Sequence, residues 1–319
     1  MIHYWQMLQR QPVISLIICA APNKKKDLWR CLRSIIGSTL TNWEVVVVDN
    51  TGAFGLQEAI REKFKNQRIR VVKMHKNSGL LGMNIGLANA RGKYLMTLDD
   101  DCAISKQTLQ KIIKLAAKLP AETWIISCAY YDRVTGEYLS PRGVDLNKYF
   151  YSLSGANVFR REMFTKIGWL EDRFFLWGYE DDLVLRTLSA GKQIYFTVPK
   201  EIVIDHYSKE NKMRPLKVFL STRNKVWLLV KYFSWDVMFL LFLRDIIWIL
   251  MQPYRYKSIK AFFYSVKGYL MGILTCGEWL KERKVAPREV QKRYLRTQFK
   301  VQQLADKLLS RSDQEFDIG

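Results

Sequence analysis

Two clusters of acidic side chains are the parts of this sequence best suited to do chemistry. Asp99-Asp100-Asp101 directly follows a predicted strand, and Glu180-Asp181-Asp182 opens a predicted helix. Adjacent carboxylates repel one another, so the first cluster favours a bound cation. Oxygen ligands at the end of a strand suit Mg²⁺ or Mn²⁺ shared with a substrate diphosphate. A helix N-cap is the structural alternative, because Asp is favoured at that position.

The second cluster follows an aromatic loop at residues 174–179. The helix dipole stabilises acids in a first turn, and Asp182 can pair with Arg186 one turn later, so a structural role for Asp182 is open. Apolar walls around a carboxylate raise its pKa and shape a pocket, as a general base requires. The loop therefore favours a catalytic carboxylate in this cluster.

Two further motifs are weaker when taken alone. His206 follows a strand-like run at 202–204, and with only His3 and His75 besides it no histidine-based zinc site can be assembled. The small residues at 77–86 fit neither the dinucleotide-binding nor the P-loop pattern of glycines, so a turn into a packed helix remains the alternative.

The elements that must position these side chains alternate between residues 12 and 131. Strands are predicted at 13–18, 44–48, 69–72, 94–98 and 124–127, and helices at 27–38, 55–65, 80–90 and 105–119. Strands that are apolar on both faces and separated by helices predict an α/β domain with a mainly parallel sheet. A nucleotide-sized ligand is then expected at the carboxyl ends of the strands.

Composition limits the class of partner. The chain has 319 residues and a formal charge of +21, which favours nucleic acid, a phosphorylated substrate or acidic lipid. Its five cysteines lack C-x-x-C spacing, which excludes a readable disulfide framework and favours a reducing cytosol. No nucleic-acid-binding motif accompanies the charge, so we expect no nucleic-acid partner.

The C-terminal third is basic and rich in apolar side chains, with about 22 basic and 10 acidic residues between 207 and 319. The apolar run 235–251 covers only about 17 residues and contains Arg244-Asp245, which argues against a bilayer span of about 20 apolar residues. The stretch 259–274 puts Lys260 and Lys267 on one helical face, which is typical of a helix lying in an anionic leaflet. Packing on the catalytic domain or on a second copy, as a homodimer, is the alternative.

The order of these pieces resembles glycosyltransferase family 2. The matching pieces are the strand at 14–19 followed by Asn23, Asp49-Asn50 after a valine run, Asn77-x-Gly79, Asn84-x-Gly86, Gly92-Lys93-Tyr94, the two acidic clusters and His206. The resemblance covers roughly residues 12–232 and implies an inverting enzyme with a GT-A fold. The chain is most similar to bacterial rhamnosyl- or galactofuranosyltransferases of cell-surface polysaccharide assembly.

The resemblance also implies roles for individual residues. Asp49 contacts the nucleotide base, and Asp99, Asp101 and His206 bind Mn²⁺ or Mg²⁺ on the diphosphate. The residues implied to bind the nucleotide sugar are Asn23, Asp49, Asn77, Gly79, Asn84, Asp99, Asp100 and Trp177. The catalytic base is Glu180 when counted back from Arg186 and Asp181 when counted forward from Trp177-Gly178, because one residue of the family pattern is missing.

We therefore expect a GT-A catalytic domain over residues 1–232 and a basic helical region over 233–319 that associates with membrane or dimerises. The expected donor is a UDP- or dTDP-linked sugar, and the expected acceptor is a saccharide or lipid-linked saccharide. The expected location is cytoplasmic, peripheral at the inner face of the bacterial plasma membrane. The alternatives are a sugar-nucleotide nucleotidyltransferase, whose glycine-rich loop is missing, a nucleic-acid- or membrane-binding protein, and a non-catalytic scaffold.

Overall fold

The computed structural model describes residues 11–21, 24–52, 55–139, 148–207 and 214–299. Their contacts divide them into two compact units. The first unit contains the described residues of 11–139, 153–175 and 192–207, and the second contains those of 148–152, 176–191 and 214–299. Asn23, predicted to bind the nucleotide sugar, lies outside the described residues.

The first unit is built on two sheets. Its strands are β1 (Ile14–Ala20), β2 (Trp43–Asp49), β3 (Ile69–Lys73), β4 (Tyr94–Thr97), β5 (Cys102–Ala103), β6 (Thr123–Ser127), β7 (Ala129–Asp132), β8 (Glu137–Tyr138), β9 (Asn157–Arg160), β10 (Gln193–Phe196) and β11 (Val203–His206). The larger sheet has the order β10-β6-β9-β4-β1-β2-β3 and is parallel except where β9 pairs with β4 and β6. The smaller sheet has the order β5-β11-β7-β8.

Helices separate the strands as the sequence predicts. They are α1 (Lys25–Ile36), α2 (Leu56–Phe64), α3 (Leu80–Asn89), α4 (Thr108–Lys118) and α5 (Glu162–Ile167), with a short 3₁₀ turn at Asp172–Phe174. The strand β2 is buried along its whole length because its valines face helices on both sides of the sheet. The predicted α/β class with a mainly parallel sheet is confirmed.

The motif Asn84-x-Gly86 has a packing role at the sheet. A Cβ atom added to Gly86 would lie 2.7 Å from methyl groups of both Ile17 and Val48. Helix α3 therefore approaches β1 and β2 more closely than a larger side chain would permit, which fixes the start of this helix at the carboxyl edge of the sheet.

The second unit is helical. It contains α6 (Tyr179–Ser189), α7 (Pro215–Tyr232), α8 (Trp235–Leu250), α9 (Gln252–Tyr256), α10 (Ile259–Leu274), α11 (Gly277–Lys281) and α12 (Arg288–Gln298). The mostly helical C-terminal region is thus confirmed. Helices α6 and α7, expected in the catalytic domain over residues 1–232, group with this unit by their contacts, and the boundary at residue 232 stays a prediction. Among the described residues, none of the helices has both the length and the hydropathy needed to cross a bilayer.

A buried carboxylate joins three elements at the amino edge of the larger sheet. Glu44 in β2 accepts hydrogen bonds from the Ser15 hydroxyl at 2.7 Å, from the backbone N–H of Arg91 at 2.6 Å and from the Arg70 guanidinium at 3.1 Å. Burial alone would raise the pKa of Glu44, but the bonds from Ser15 and Arg91 outweigh it and hold this pKa below its ordinary value.

We predict that Glu44→Gln lowers the free energy of unfolding by about 1–3 kcal/mol at neutral pH, because the Arg70 guanidinium and the other donors then face a neutral amide in place of a buried carboxylate. A lowered folded-state pKa contributes stability above the unfolded pKa of about 4.3 and loses it as pH falls through the folded pKa. Urea unfolding should therefore show the two proteins converging below about pH 4. Glu58→Gln, on the exposed face of α2, is the control and should match the wild type; a constant gap at all pH values would contradict the prediction.

Candidate active site

The first acidic cluster occupies the turn between β4 and β5. The backbone N–H of Cys102 bonds to the Asp99 carbonyl oxygen at 3.1 Å, which closes the turn. Lys24 Nζ, just before α1, lies 2.6 Å from Asp101 Oδ2 and 3.4 Å from Asp100 Oδ1. The backbone N–H of Ala21 donates to Asp100 Oδ2 at 2.8 Å. Asp100 is therefore held by the end of β1, whereas Asp99 and Asp101 are the half-buried members of the cluster.

The smaller sheet brings His206 to this cluster. His206 ends β11, where it is paired with Cys102 of β5 and with Asp132 of β7. Its Nε2 atom lies 3.5 Å from Asp101 Oδ1, and its Nδ1 atom lies 3.6 Å from Asp132 Oδ2. The imidazole stacks on the Tyr130 ring at 5.3 Å between centroids, so its orientation is fixed by β7.

The charge of the cluster is only partly compensated by the chain. Burial, followed by repulsion from Asp101 and Asp100, raises the pKa of Asp99 to about 7, although Lys24 and the Tyr130 hydroxyl act in the opposite direction. Burial also raises the pKa of Asp100. Three neighbouring carboxyl groups thus face a single ammonium group, and a further cation bound there would be electrostatically favourable.

The donor atoms fit a divalent cation. Ligand atoms of Asp99, Asp101 and Cys102 lie within 4.8 Å of one another, and His206 Nε2 faces Asp101. Burial and the neighbouring Asp99 raise the pKa of the Cys102 thiol well above its ordinary value, and this thiol donates to the Tyr130 hydroxyl at 3.3 Å. The protonated thiol is a poor ligand, so the remaining set of carboxylate oxygens and one imidazole suits Mn²⁺ or Mg²⁺.

Two residues predicted to bind the nucleotide follow the neighbouring parallel strands. Asp49 ends β2 and accepts hydrogen bonds from the Thr51 N–H at 3.2 Å and the Thr51 hydroxyl at 2.6 Å. Asn77 follows β3, and its Oδ1 atom accepts from Asn50 Nδ2 at 3.1 Å and from the Gly79 N–H at 3.0 Å. Both lie at the carboxyl edge of the sheet, the edge that also carries Asp99.

Gly79 and Asn84 anchor the segment that precedes the second acidic cluster. Gly79 has a φ of +54°, and a Cβ atom there would lie 2.1 Å from the Phe175 carbonyl oxygen. The Asn84 side chain accepts from the Leu170 N–H at 3.0 Å and donates to the Leu170 carbonyl at 2.9 Å. These contacts give both residues a role in holding the segment from Leu170 to Phe175. That Gly79 and Asn84 bind the nucleotide sugar stays a prediction.

In the second unit, Asp182 has a structural role. It is fully buried in α6 and accepts hydrogen bonds from Arg186 Nε at 2.8 Å and from the Tyr232 hydroxyl at 2.6 Å. The predicted pairing of Asp182 with Arg186 is thus present, and both of its oxygens are engaged. This leaves Glu180 and Asp181 as the candidate bases.

Glu180 and Asp181 stand in different surroundings. Burial raises the pKa of Asp181, while a hydrogen bond from Ser152 and the charge of Lys225 act to lower it. Asp181 Oδ1 is shielded from solvent and accepts no hydrogen bond within the described structure. Glu180 is half-buried in the first turn of α6.

The loop in front of α6 is tied to α7. Asn224 Nδ2 donates to the carbonyl oxygens of Leu176 at 2.8 Å and Trp177 at 2.7 Å. Trp177 has a φ of +55°, and Gly178, which precedes the helix, has a φ of +88°. The side chain of Asn224 therefore holds Trp177 in a backbone conformation that is unfavourable for a bulky residue.

Several residues of the site were not predicted from the sequence: Lys24, Tyr130, Asp132, Gly155 and Asn224. Gly155 is the clearest case, because a Cβ atom there would lie 2.2 Å from Asp99 Oδ2 and 2.6 Å from the Tyr130 hydroxyl. The one signal available in the sequence was a glycine two residues before Asn157, where β9 begins. Its partner Asp99 is more than fifty positions away, so the contact depends on the pairing of β4 with β9.

We predict that Gly155→Ala weakens Mn²⁺ binding by about 10- to 100-fold, because the added methyl group displaces the Asp99 carboxylate from its place beside Asp101. Isothermal titration with Mn²⁺ measures the change. Gly37→Ala is the matched control, since a Cβ atom there makes only ordinary contacts, the nearest at 3.5 Å. Unchanged Mn²⁺ affinity in a folded Gly155→Ala protein would contradict the prediction.

Comparison with known proteins agrees with this architecture. The family model described as Glycosyl transferase family 2 matches residues 15–174, half of the chain. TuaG of Bacillus subtilis, named as a teichuronic acid biosynthesis glycosyltransferase, is 26% identical over 149 residues, which are 46% of this chain and 55% of TuaG. The succinoglycan biosynthesis protein ExoO of Rhizobium meliloti is 27% identical over 110 residues, 34% of this chain and 31% of ExoO. The chain therefore spans about half the length of TuaG and a third of ExoO.

Solved structures share the fold. GalNAc-T7 aligns with a TM-score of 0.55 at 15% identity over 71% of this chain and 49% of that chain. S. aureus TarS aligns with a TM-score of 0.51 at 17% identity over 72% of this chain and 43% of TarS. These likenesses confirm the expected GT-A fold. With the family match over half of its length, the chain belongs to glycosyl transferase family 2.

Proposed function

We propose that this protein is an inverting glycosyltransferase of cell-surface polysaccharide synthesis. It moves a sugar from a nucleotide-diphosphate donor to a hydroxyl group of a saccharide or lipid-linked saccharide. The observation that carries the proposal is that Asp99 and Asp101 lie together, with His206 Nε2 3.5 Å from Asp101 Oδ1, near the sheet edge that also carries Asp49. Membership of glycosyl transferase family 2 and the biosynthetic names of TuaG and ExoO support it.

The proposed donor is a UDP- or dTDP-linked sugar, with a rhamnosyl or galactofuranosyl group as the narrower expectation. GalNAc-T7 was solved with UDP, GalNAc and Mn²⁺, and TarS, at a TM-score of 0.50, with UDP. The buried Asp49 at the end of β2 is the proposed contact of the base. The protein is proposed to act in the cytoplasm, peripherally at the inner face of the bacterial plasma membrane, where a lipid-linked acceptor presents its sugar.

Asp99, Asp101 and His206 are proposed to hold Mn²⁺ or Mg²⁺. When bound, such a cation supplies a Lewis acid that stabilises negative charge on the leaving diphosphate. The chain prepares this site in two ways. The Asp132 carboxylate beside His206 Nδ1 favours a proton on that nitrogen. The lone pair of Nε2 is then the one that would bind the cation. Tyr130 fixes the plane of the imidazole and lies 3.5 Å from Asp99 Oδ2.

Lys24 has a separate role in this proposal. Its ammonium group compensates Asp100 and Asp101, and it sits on the segment between β1 and α1. Lys24 Nζ lies within ion-pair distance of both carboxylates, and it would be available to a phosphate group of the donor if Asp101 held a cation. Asp100 accepts a hydrogen bond from the Ala21 N–H and so is tied to the residue that follows β1.

We propose Glu180 as the catalytic base. Asp182 is engaged with Arg186 and Tyr232, and Asp181 Oδ1 is shielded from solvent. The base takes the proton of the acceptor hydroxyl while that oxygen attacks the anomeric carbon from the face opposite the diphosphate. A single displacement of this kind inverts the configuration and needs no covalent intermediate.

The proposal is tested with the full chain, a panel of UDP- and dTDP-sugars and Mn²⁺. The nucleoside diphosphate should be released from only one or a few of the sugar nucleotides. Asp101→Asn should lose this release but should still fold like the wild type. Glu58→Gln is the control and should keep full activity. No release with any donor or acceptor, or full release in Asp101→Asn, would overturn the assignment.

We predict that Glu180→Gln lowers kcat by about 10²- to 10⁴-fold with donor binding largely kept, because an amide cannot take the acceptor proton. Asp181→Asn should instead change stability. Its raised folded-state pKa makes the ionised form unfavourable, so wild-type stability falls as pH rises above about 4, and the variant lacks this fall. The melting-temperature gap between Asp181→Asn and wild type should thus widen toward neutral pH. A rate loss confined to Asp181→Asn would assign the base to Asp181.

A further inference from the structure

Helices α8 and α10 present large apolar side chains outward. On α8, Phe239 and Ile247 are 65% and 64% exposed, and on α10 Phe263 and Leu274 are 63% and 80% exposed. These residues belong to wider stripes at three- and four-residue spacing along each helix. A surface helix of a soluble protein carries polar residues on such a face, so this apolar surface calls for a covering partner.

Helix α10 buries its small residues and exposes its large ones. The buried edge of α10 consists of Ala261, Ser265, Gly268 and Gly272. A Cβ atom at Gly268 would lie 2.4 Å from the Phe219 carbonyl oxygen, and one at Gly272 would lie 2.7 Å from the Val226 Cβ. The helix thus packs on α7 through its smallest residues and turns its largest outward, an arrangement that is favoured where the outer medium is itself apolar.

The charges on this part of the chain are mostly positive. Between residues 237 and 277 the sequence contains one acid, Asp245, and five basic residues. Asp245 is buried and paired with Lys225 and Arg244, so it contributes no free negative charge to the surface. Lys257, Lys260 and Lys267 are exposed. Asp236, in the first turn of α8, is paired with Arg288. Apart from these ion pairs, the three exposed lysines give the apolar surface a positive charge.

We propose that the outward apolar surface of α8 and α10 docks in the plane of an anionic lipid bilayer. The apolar side chains enter the headgroup and acyl boundary, while the three lysines bind anionic headgroups. A second copy of the chain is a poorer occupant, because two such surfaces would bring their lysines together and repel each other. The inference goes beyond the transfer reaction and is measured without donor or acceptor.

The charges assigned to bilayer attraction include Lys260 and Lys267, which the sequence pattern places on one helical face. The basic stretch after residue 280 is largely engaged within the unit, since Arg283 donates to the backbone carbonyls of Val230 and Phe233. Arg288 pairs with Asp236, and Lys281 pairs with Glu278. The attraction is thus assigned to Lys257, Lys260 and Lys267.

The test is co-sedimentation of the full chain with vesicles of phosphatidylcholine alone and of an equal mixture with phosphatidylglycerol, at low and high salt. The wild type should bind the mixed vesicles, and salt should weaken the binding by screening. Phe239→Ser with Phe263→Ser should lower partitioning at least about tenfold on both vesicles. Changing Lys257, Lys260 and Lys267 to Gln should lower the ratio of binding to mixed vesicles over binding to phosphatidylcholine vesicles at least about tenfold.

Val134→Ser with Leu139→Ser removes two equally exposed apolar side chains from the first unit and should bind like the wild type. Leu274→Ser, at the end of α10, gives the same sign of change if the double phenylalanine variant does not fold. Wild-type chain that sediments with neither vesicle, or serine variants that bind as the wild type does, would overturn the proposal. A concentration-dependent dimer that the serine variants dissociate, with vesicle binding unchanged, would assign the surface to a second copy.

Discussion

Repulsion among the carboxylates of Asp99, Asp100 and Asp101 is the constraint on which the candidate site depends. Three adjacent acids at the end of a buried strand are unfavourable unless positive charge or hydrogen-bond donors surround them. Three groups of the chain interact favourably with these carboxylates: the Lys24 ammonium before α1, the Ala21 N–H after β1 and the Tyr130 hydroxyl on β7. The pKa of Asp99 nevertheless stays raised to about 7, so these groups only partly compensate the negative charge of the cluster. A bound divalent cation would supply the missing positive charge.

The two sheets of the first unit explain how residues far apart in sequence reach this cluster. Parallel pairing of β1 with β2 and β4 puts the ends of these strands, and hence Asp49 and Asp99, at one edge. The smaller sheet adds His206 because β11 pairs with β5, which directly follows the acids. Pairing with β5 brings His206 beside the carboxylates, and pairing with β7 and stacking on Tyr130 orient its imidazole.

Sequence patterns predicted what depends on local periodicity and residue type. The valine run of β2, the spacing of apolar residues in α1 and the acids after β4 are such features. Gly155 and Asn224 were missed because their importance arises from contacts made only after folding, with Asp99 and with the backbone of Trp177. The faces of α10 were assigned from its large and charged residues, whereas its small residues decide which side is buried. The base was left between two neighbours because they differ in burial rather than in chemistry.

The proposed base and the apolar helices belong to the same unit, which relates acceptor chemistry to lipid docking. Helix α10 packs on α7 through Gly268 and Gly272, and α7 carries Asn224, which fixes the loop before α6. Tyr232, also on α7, holds Asp182 of α6 by a hydrogen bond. The proposed lipid-docking surface is thus linked through α7 to the helix that carries Glu180. Under these proposals, a lipid-linked acceptor would meet the proposed base on the same unit that docks on the bilayer.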